Sequence, residues 1–158
     1  MSGSLKHDSS NSALVRAAAA SGSPAEVVVW DRLDSLPHFS PDHPANDHVD
    51  DLRKEIAAAD AVVVATPEYA GGMPGSLKNA LDWLVGSGEL YGKRVVIVSA
   101  APDEARGHNA RRWVAETVAM QGATVADSFT VAVKSSDDDA VIASKAAAAL
   151  QQALAALD

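Results

Sequence analysis

Cysteine is absent from the 158-residue chain, which removes disulfide bridges, thiolate catalysis and cysteine-ligated zinc or iron–sulfur centres together. Demanding chemistry would therefore need a bound cofactor. Basic residues are scarce as well: 13 Lys and Arg stand against 21 Asp and Glu, for a formal net charge of −8. Nucleic-acid backbones and anionic membranes both reward clustered cations, so the expected partner is neither of these but a small molecule or another protein. An anionic ligand would have to be held locally, by backbone amides, a helix N-terminus or a few placed cations. Long apolar runs are missing too. The opening MSGSLKHDSS is polar and lacks the apolar centre of a secretory signal. The apolar stretches are short and Ala-rich, below the roughly 20 residues that a membrane-spanning helix requires. The expected address is the cytoplasm.

What is present reads as one folded domain over residues 1–158. Apolar residues make up 47% and charged residues 22%, enough to bury a core and unlike a disordered chain. Four short runs rich in valine, at 26–30 (EVVVW), 61–65 (AVVVA), 94–100 (RVVIVSA) and 129–133 (FTVAV), suit strands covered on both faces of a parallel sheet. Helical stretches separate them at 12–20, 47–59, 76–85, 109–121 and 138–157. Ser9, Ser10 and Asn11 supply cap candidates for the first, Asp47, Asp50 and Asp51 favour the start of the second, and Gly122 stops the fourth. Strand and helix in alternation predict right-handed βαβ units, hence a doubly wound α/β/α sandwich of three layers. Ligands in such folds sit beyond the carboxyl ends of the strands, which directs attention to the loops at 66–75 and 101–108.

The first of these loops opens the stretch TPEYAGGMPGSLKNALDWL, residues 66–84. Its glycines and prolines make a rigid turn whose amides can approach a flat ring closely, with Tyr69 placed to pack beside an aromatic ligand. Ahead of the first helix stands GSLKHDSSN, residues 3–11. Small hydroxyls and free amides there face a helix N-terminus, a natural seat for phosphate. Arg106, Arg111 and Arg112 could meet a cofactor phosphate, although a solvated helix face is the simpler reading. His38, His43 and His48 lie in an irregular acidic loop without the spacing of a metal site.

Together the two stretches resemble the flavin and phosphate loops of the NADPH-dependent FMN reductase family, whose patterns run approximately TPEYNxxxPGxLKNALDWL and GSLRxxSxN. The resemblance implies a flavodoxin-like fold that binds FMN. It implies phosphate contacts from Ser4, Lys6, Ser9 and Asn11, and an isoalloxazine edged by Pro67, Glu68, Tyr69, Ala70 and Gly71, mainly through backbone groups, with Ser99 on a third loop. Two positions depart from the pattern: Ala70 stands where the family has Asn, and Lys6 where it has Arg, so a two-pronged donor becomes a point charge. The family also has a hydrophobic first strand where this chain has Met1 and Ser2, so that central strand is expected to be absent or displaced. The implied activity is an NAD(P)H-dependent FMN reductase or quinone-type oxidoreductase, using NADPH or NADH and a small acceptor. Family members are dimers or tetramers, which implies a homo-oligomer, and the helix carrying Lys78, Asn79, Asp82 and Trp83 would lie at the subunit interface. Trp83 and Leu84 alone read as core. Rival readings are an FMN-binding electron carrier and a flavin-free interaction module. No acid, base or nucleophile is singled out, since the cofactor carries the chemistry.

Overall fold

The valine-rich runs do build a parallel sheet, in which β1 (Ala61–Ala65), β2 (Arg94–Ala101) and β3 (Thr124–Ala132) lie in the order β1-β2-β3. The structure, a computed structural model, describes residues 1–6 and 8–157; His7, inside the phosphate-loop motif, and Asp158 lie outside the described residues. β2 is the central strand, and every residue from Val95 to Ala101 is buried. Alternate side chains of one strand face opposite ways, so Val95 and Ile97 join one core cluster while Val96, Val98 and Ala100 join the other.

Helices α2 (Asp47–Ala58), α3 (Gly75–Trp83) and α4 (His108–Met120) supply the first cluster with Val49, Leu52, Leu77, Leu81, Val114 and Val118. Helices α1 (Ser10–Ala19) and α5 (Asp139–Leu157) supply the second with Leu14, Ala146 and Ala153. The result is the expected three-layer α/β/α arrangement. Trp83 and Leu84 are core, as read from the sequence.

The expected strand at 26–30 does not form: this segment takes no regular structure and joins no ladder. A strand needs a neighbour to satisfy its amides, and the outer edge of β1 is taken by Met1–Gly3 instead. Ala65 N donates to Met1 O at 2.9 Å, Gly3 N donates to Ala65 O at 2.7 Å, and Ser2 makes one parallel bridge with Ala65. The segment is anchored through its last residue. Trp30 is buried in the first cluster, and its indole N–H donates to Asp51, which also pairs with Arg32 at 2.5 Å.

Two further differences have simple causes. β3 starts at Thr124, not 129, because an edge strand tolerates polar residues such as Asp127 and Ser128, and an irregularity at Val95/Val96 absorbs the change of register. α5 is one helix of 19 residues, long and apolar enough by length and composition to cross a membrane, against the expectation that no stretch would be. It lies along α1 and β3, and Arg94 caps its end by donating to Ala156 O and Leu157 O.

Candidate functional site

Beyond the carboxyl ends of β1 and β2, the N-terminus of α1, the 66–74 loop and the N-terminus of α4 converge. Asn11 ties the first to the sheet. Its side-chain nitrogen donates to Ala100 O at 3.2 Å while its oxygen accepts from Ala100 N at 2.9 Å, so the amide is fully engaged at the end of β2. Ser9 is the α1 N-cap and accepts from Ser12 N at 3.5 Å, and the first turn of α1 carries no acidic residue. Ser4 Oγ accepts from Lys6 N at 3.2 Å, which folds the loop back on itself and leaves the Lys6 side chain exposed.

The 66–74 loop is fixed at its root. Thr66 N donates to Val98 O and Ser99 Oγ donates to Thr66 O, both at 2.8 Å, so Ser99 is buried and engaged in holding β1 to β2. At its tip, Tyr69 N donates to Gly72 O and Gly72 N to Tyr69 O, each at 3.0 Å. Both intervening residues have positive φ, 49° at Ala70 and 77° at Gly71, the signature of a type I′ hairpin turn. Asn and Gly are the residues that enter this region at least cost, which gives a backbone reason for the Asn that the family pattern carries at position 70. Gly72 lies under the Trp113 ring, where an added Cβ would come within 2.6 Å of the ring carbons. Tyr69 Oη meets Ser4 Oγ at 3.2 Å, joining the two loops.

The third wall is the start of α4. Its N-cap, Gly107, has no side chain to offer the first-turn amides, and Glu68 serves them from the neighbouring loop: its Oε2 accepts from Asn109 N at 3.0 Å and Ala110 N at 3.3 Å. Gly107 has φ 80° and packs so closely on Ser99 that an added Cβ would lie 2.6 Å from it. Between these parts opens a cleft of about 380 Å³, walled by residues 67–68, 99–102 and 106–107, within the usual size range of small-molecule sites. A larger hollow of about 450 Å³ lies between residues 21–24 and α5, at the far end of α1, and no ionisable side chain lines it.

The structure therefore brings the expected site residues to one end of the sheet: Pro67, Glu68 and Ser99 line the cleft, Asn11 and Ser99 act as ties, Ser4 meets Tyr69, and Lys6 is exposed. Three features escaped the sequence reading. Glu68 acts as a helix cap, Trp113 covers Gly72, and Arg111 does not lie on a solvated face. Arg111 is 9% exposed, and burial lowers its pKa while the Glu68 carboxylate opposes that shift. Arg106 and Arg112 are exposed as expected. Asn79 and Trp83 hold the chain's own 37–39 segment. Both donate to Pro37 O, Asn79 Oδ1 accepts from Phe39 N, and the Phe39 and Trp83 rings meet edge-on at 5.1 Å. Among the described residues no group of three His, Asp or Glu converges as a metal site.

Residues 1–138 match the family described as NADPH-dependent FMN reductase. The chain belongs to that family. Similar proteins include an NAD(P)H-dependent FMN reductase from Pseudomonas aeruginosa, 38% identical over 89 residues, covering 52% of this chain and 46% of that one. A 2-hydroxy-1,4-benzoquinone reductase from a Burkholderia species is 41% identical over 85 residues, covering 51% and 45%. The chain thus spans less than half the length of these curated relatives. The solved structure of FerB from Paracoccus denitrificans, described as a flavoenzyme NAD(P)H:(acceptor) oxidoreductase, superimposes with a TM-score of 0.75 over 99% of this chain and 92% of that one, at 24% identity. A flavodoxin WrbA-like protein from Agrobacterium tumefaciens gives 0.61 over 98% and 92%, at 16% identity. The fold of this family member is flavodoxin-like, with a parallel sheet of three strands among the described residues.

The residues present fit FMN. The cleft would take the flat ring between residues 67–68 and the 99–107 wall, and the small-residue loop before α1 carries the Ser4 and Ser9 hydroxyls beside a helix N-terminus whose first turn has no acidic residue.

Proposed function

We propose that this chain binds FMN at the site just described and works as an NAD(P)H-dependent reductase of small quinone-type acceptors. Bound FMN would supply the two-electron chemistry, accepting a hydride from NADPH or NADH and returning two electrons to the acceptor. The chain's own part is to bind, orient and shield. Ser4, Lys6 and Ser9 with the loop amides hold the phosphate at the α1 N-terminus, where the helix dipole favours negative charge. Asn11 holds that loop in register with β2. Residues 67–71 edge the ring through their backbone, and Ser99 fixes the floor beneath it.

The observation that carries the reading is the 3.2 Å contact between Tyr69 Oη and Ser4 Oγ. It brings the loop that resembles a ring site against the loop that resembles a phosphate site. The reading further takes the protein as a cytoplasmic homodimer or homotetramer. Trp113 and Met120 on the outer face of α4, and Val85 and Tyr91 beyond α3, are exposed apolar groups that a second copy would cover, Met120 being 85% and Tyr91 82% exposed. No nucleic-acid or membrane partner is proposed for so acidic a chain.

The test is to add FMN to the purified protein and then NADPH and a benzoquinone. Saturable flavin binding followed by quinone-dependent NADPH oxidation supports the reading. Flavin binding with no NADPH oxidation would favour an electron carrier. A folded protein that takes up no flavin would refute the proposal.

A further inference from the structure

Arg111 is a buried cation that the proposed chemistry does not use. It projects from α4 toward β3 and the loop before α4. Its Nη1 donates to Arg106 O at 3.3 Å and to Thr130 Oγ1, Thr130 Oγ1 in turn donates to Arg106 O at 3.0 Å, and Arg111 N donates to Gly107 O at 3.1 Å. Two side chains thus converge on the carbonyl of Arg106, which with Gly107 forms one wall of the cleft. Gly107 in turn sits against Ser99 with no room for a Cβ. The arrangement is expensive for what it gives the fold. A guanidinium is taken out of water, its Nε finds no partner, and Glu68 interacts with it by charge without pairing to it through an ion contact. A buried charge is weak evidence of a stabilising role, so stability alone does not account for Arg111.

We propose that Arg111, with Thr130, is a positioning residue that holds the Arg106–Gly107 wall at the distance a bound flavin ring requires. The inference rests on the FMN reading for its ligand, but the position of the wall can be measured without one. A wall held by two donors on one carbonyl gains freedom to close on the empty cleft when a donor is removed. The cost then falls on ligand binding, where a preformed pocket matters.

The experiment compares the wild-type protein with Arg111→Met, Arg111→Lys and Thr130→Val, using Glu116→Gln as a control on the exposed side of α4. Three quantities are read: thermal unfolding of the flavin-free protein, hydrogen exchange of the 103–109 amides, and the FMN dissociation constant. For Arg111→Met the expected result is unfolding at or above the wild-type temperature, faster exchange confined to 103–109, and FMN affinity weakened by about tenfold. Arg111→Lys should fall between, and Thr130→Val should follow Arg111→Met in local exchange and FMN affinity. Unchanged exchange in 103–109, or FMN affinity within about twofold of wild type, would overturn the proposal. So would a lowered unfolding temperature with exchange raised across the whole chain, the mark of a merely structural residue. If the wild-type protein itself takes up no FMN, the functional reading fails, and local exchange in 103–109 still decides whether Arg111 sets the wall.

Discussion

Glu68 and Asn109, 41 residues apart, are joined by a hydrogen bond of 3.0 Å from the Asn109 amide to Glu68 Oε2. The ring loop after β1 thereby caps the helix after β2, and the two walls of the cleft are set relative to each other by one side chain.

Replacing that side chain should therefore be felt in stability. Glu68→Ala leaves the Asn109 and Ala110 amides without their acceptor, since Gly107 provides none, and lost caps typically cost about 1 kcal/mol. Glu68→Gln keeps an acceptor but gives up the charge at the helix N-terminus, worth a few tenths of a kcal/mol at an exposed position. Urea unfolding of the three proteins should rank wild type, then Gln, then Ala. An unchanged midpoint for Ala would show that the cap contributes nothing.

Ala70 pays for its φ of 49°, because an L-residue with a Cβ enters the left-handed region at a cost of roughly 1–2 kcal/mol. Ala70→Asn should raise stability by up to about 1 kcal/mol, and Ala70→Val should lower it by more than that. Equal unfolding midpoints for Asn and Val would contradict a type I′ turn at 69–72.

The Met1 ammonium of the 158-residue polypeptide is buried, donates to Val63 O at 2.6 Å, and has its pKa lowered from 8.0 to about 6, chiefly by burial and against a smaller opposing effect of Asp31. The unfolded chain holds this proton up to pH 8, the folded chain only to about 6. Between those values the unfolded state binds more protons, so stability should rise with pH across that window, by at most about 3 kcal/mol. Urea unfolding at both ends of the window checks this. Acetylating the amino group should abolish the slope, and a slope that survives acetylation would belong to other groups.

The sheet and its covering helices were legible because Val95 to Val98 and their counterparts in β1 carry the burial pattern in the sequence itself. The segment 26–30 misled for a physical reason. Three valines and a tryptophan announce burial and extension, and Trp30 is indeed buried, but pairing depends on what lies beside the segment, which no local pattern encodes. The two ligand loops were legible as motifs. The engagements inside them were not: that Asn11 spends its amide on Ala100, or Glu68 its carboxylate on α4, depends on contacts across 89 and 41 residues. Arg111 was misread because a helix containing Arg111 and Arg112 looks like a solvated face, and only Thr130 and the Arg106 carbonyl reveal which of the two turns inward.

The account stands or falls on whether this chain holds FMN in the cleft walled by residues 67–68, 99–102 and 106–107. The direct measurement is the visible absorbance of FMN as protein is added, followed by gel filtration of the mixture. The account predicts a shifted flavin band that saturates at one FMN per chain and a yellow protein peak. A protein peak without colour, from a chain whose circular dichroism shows it folded, would contradict it.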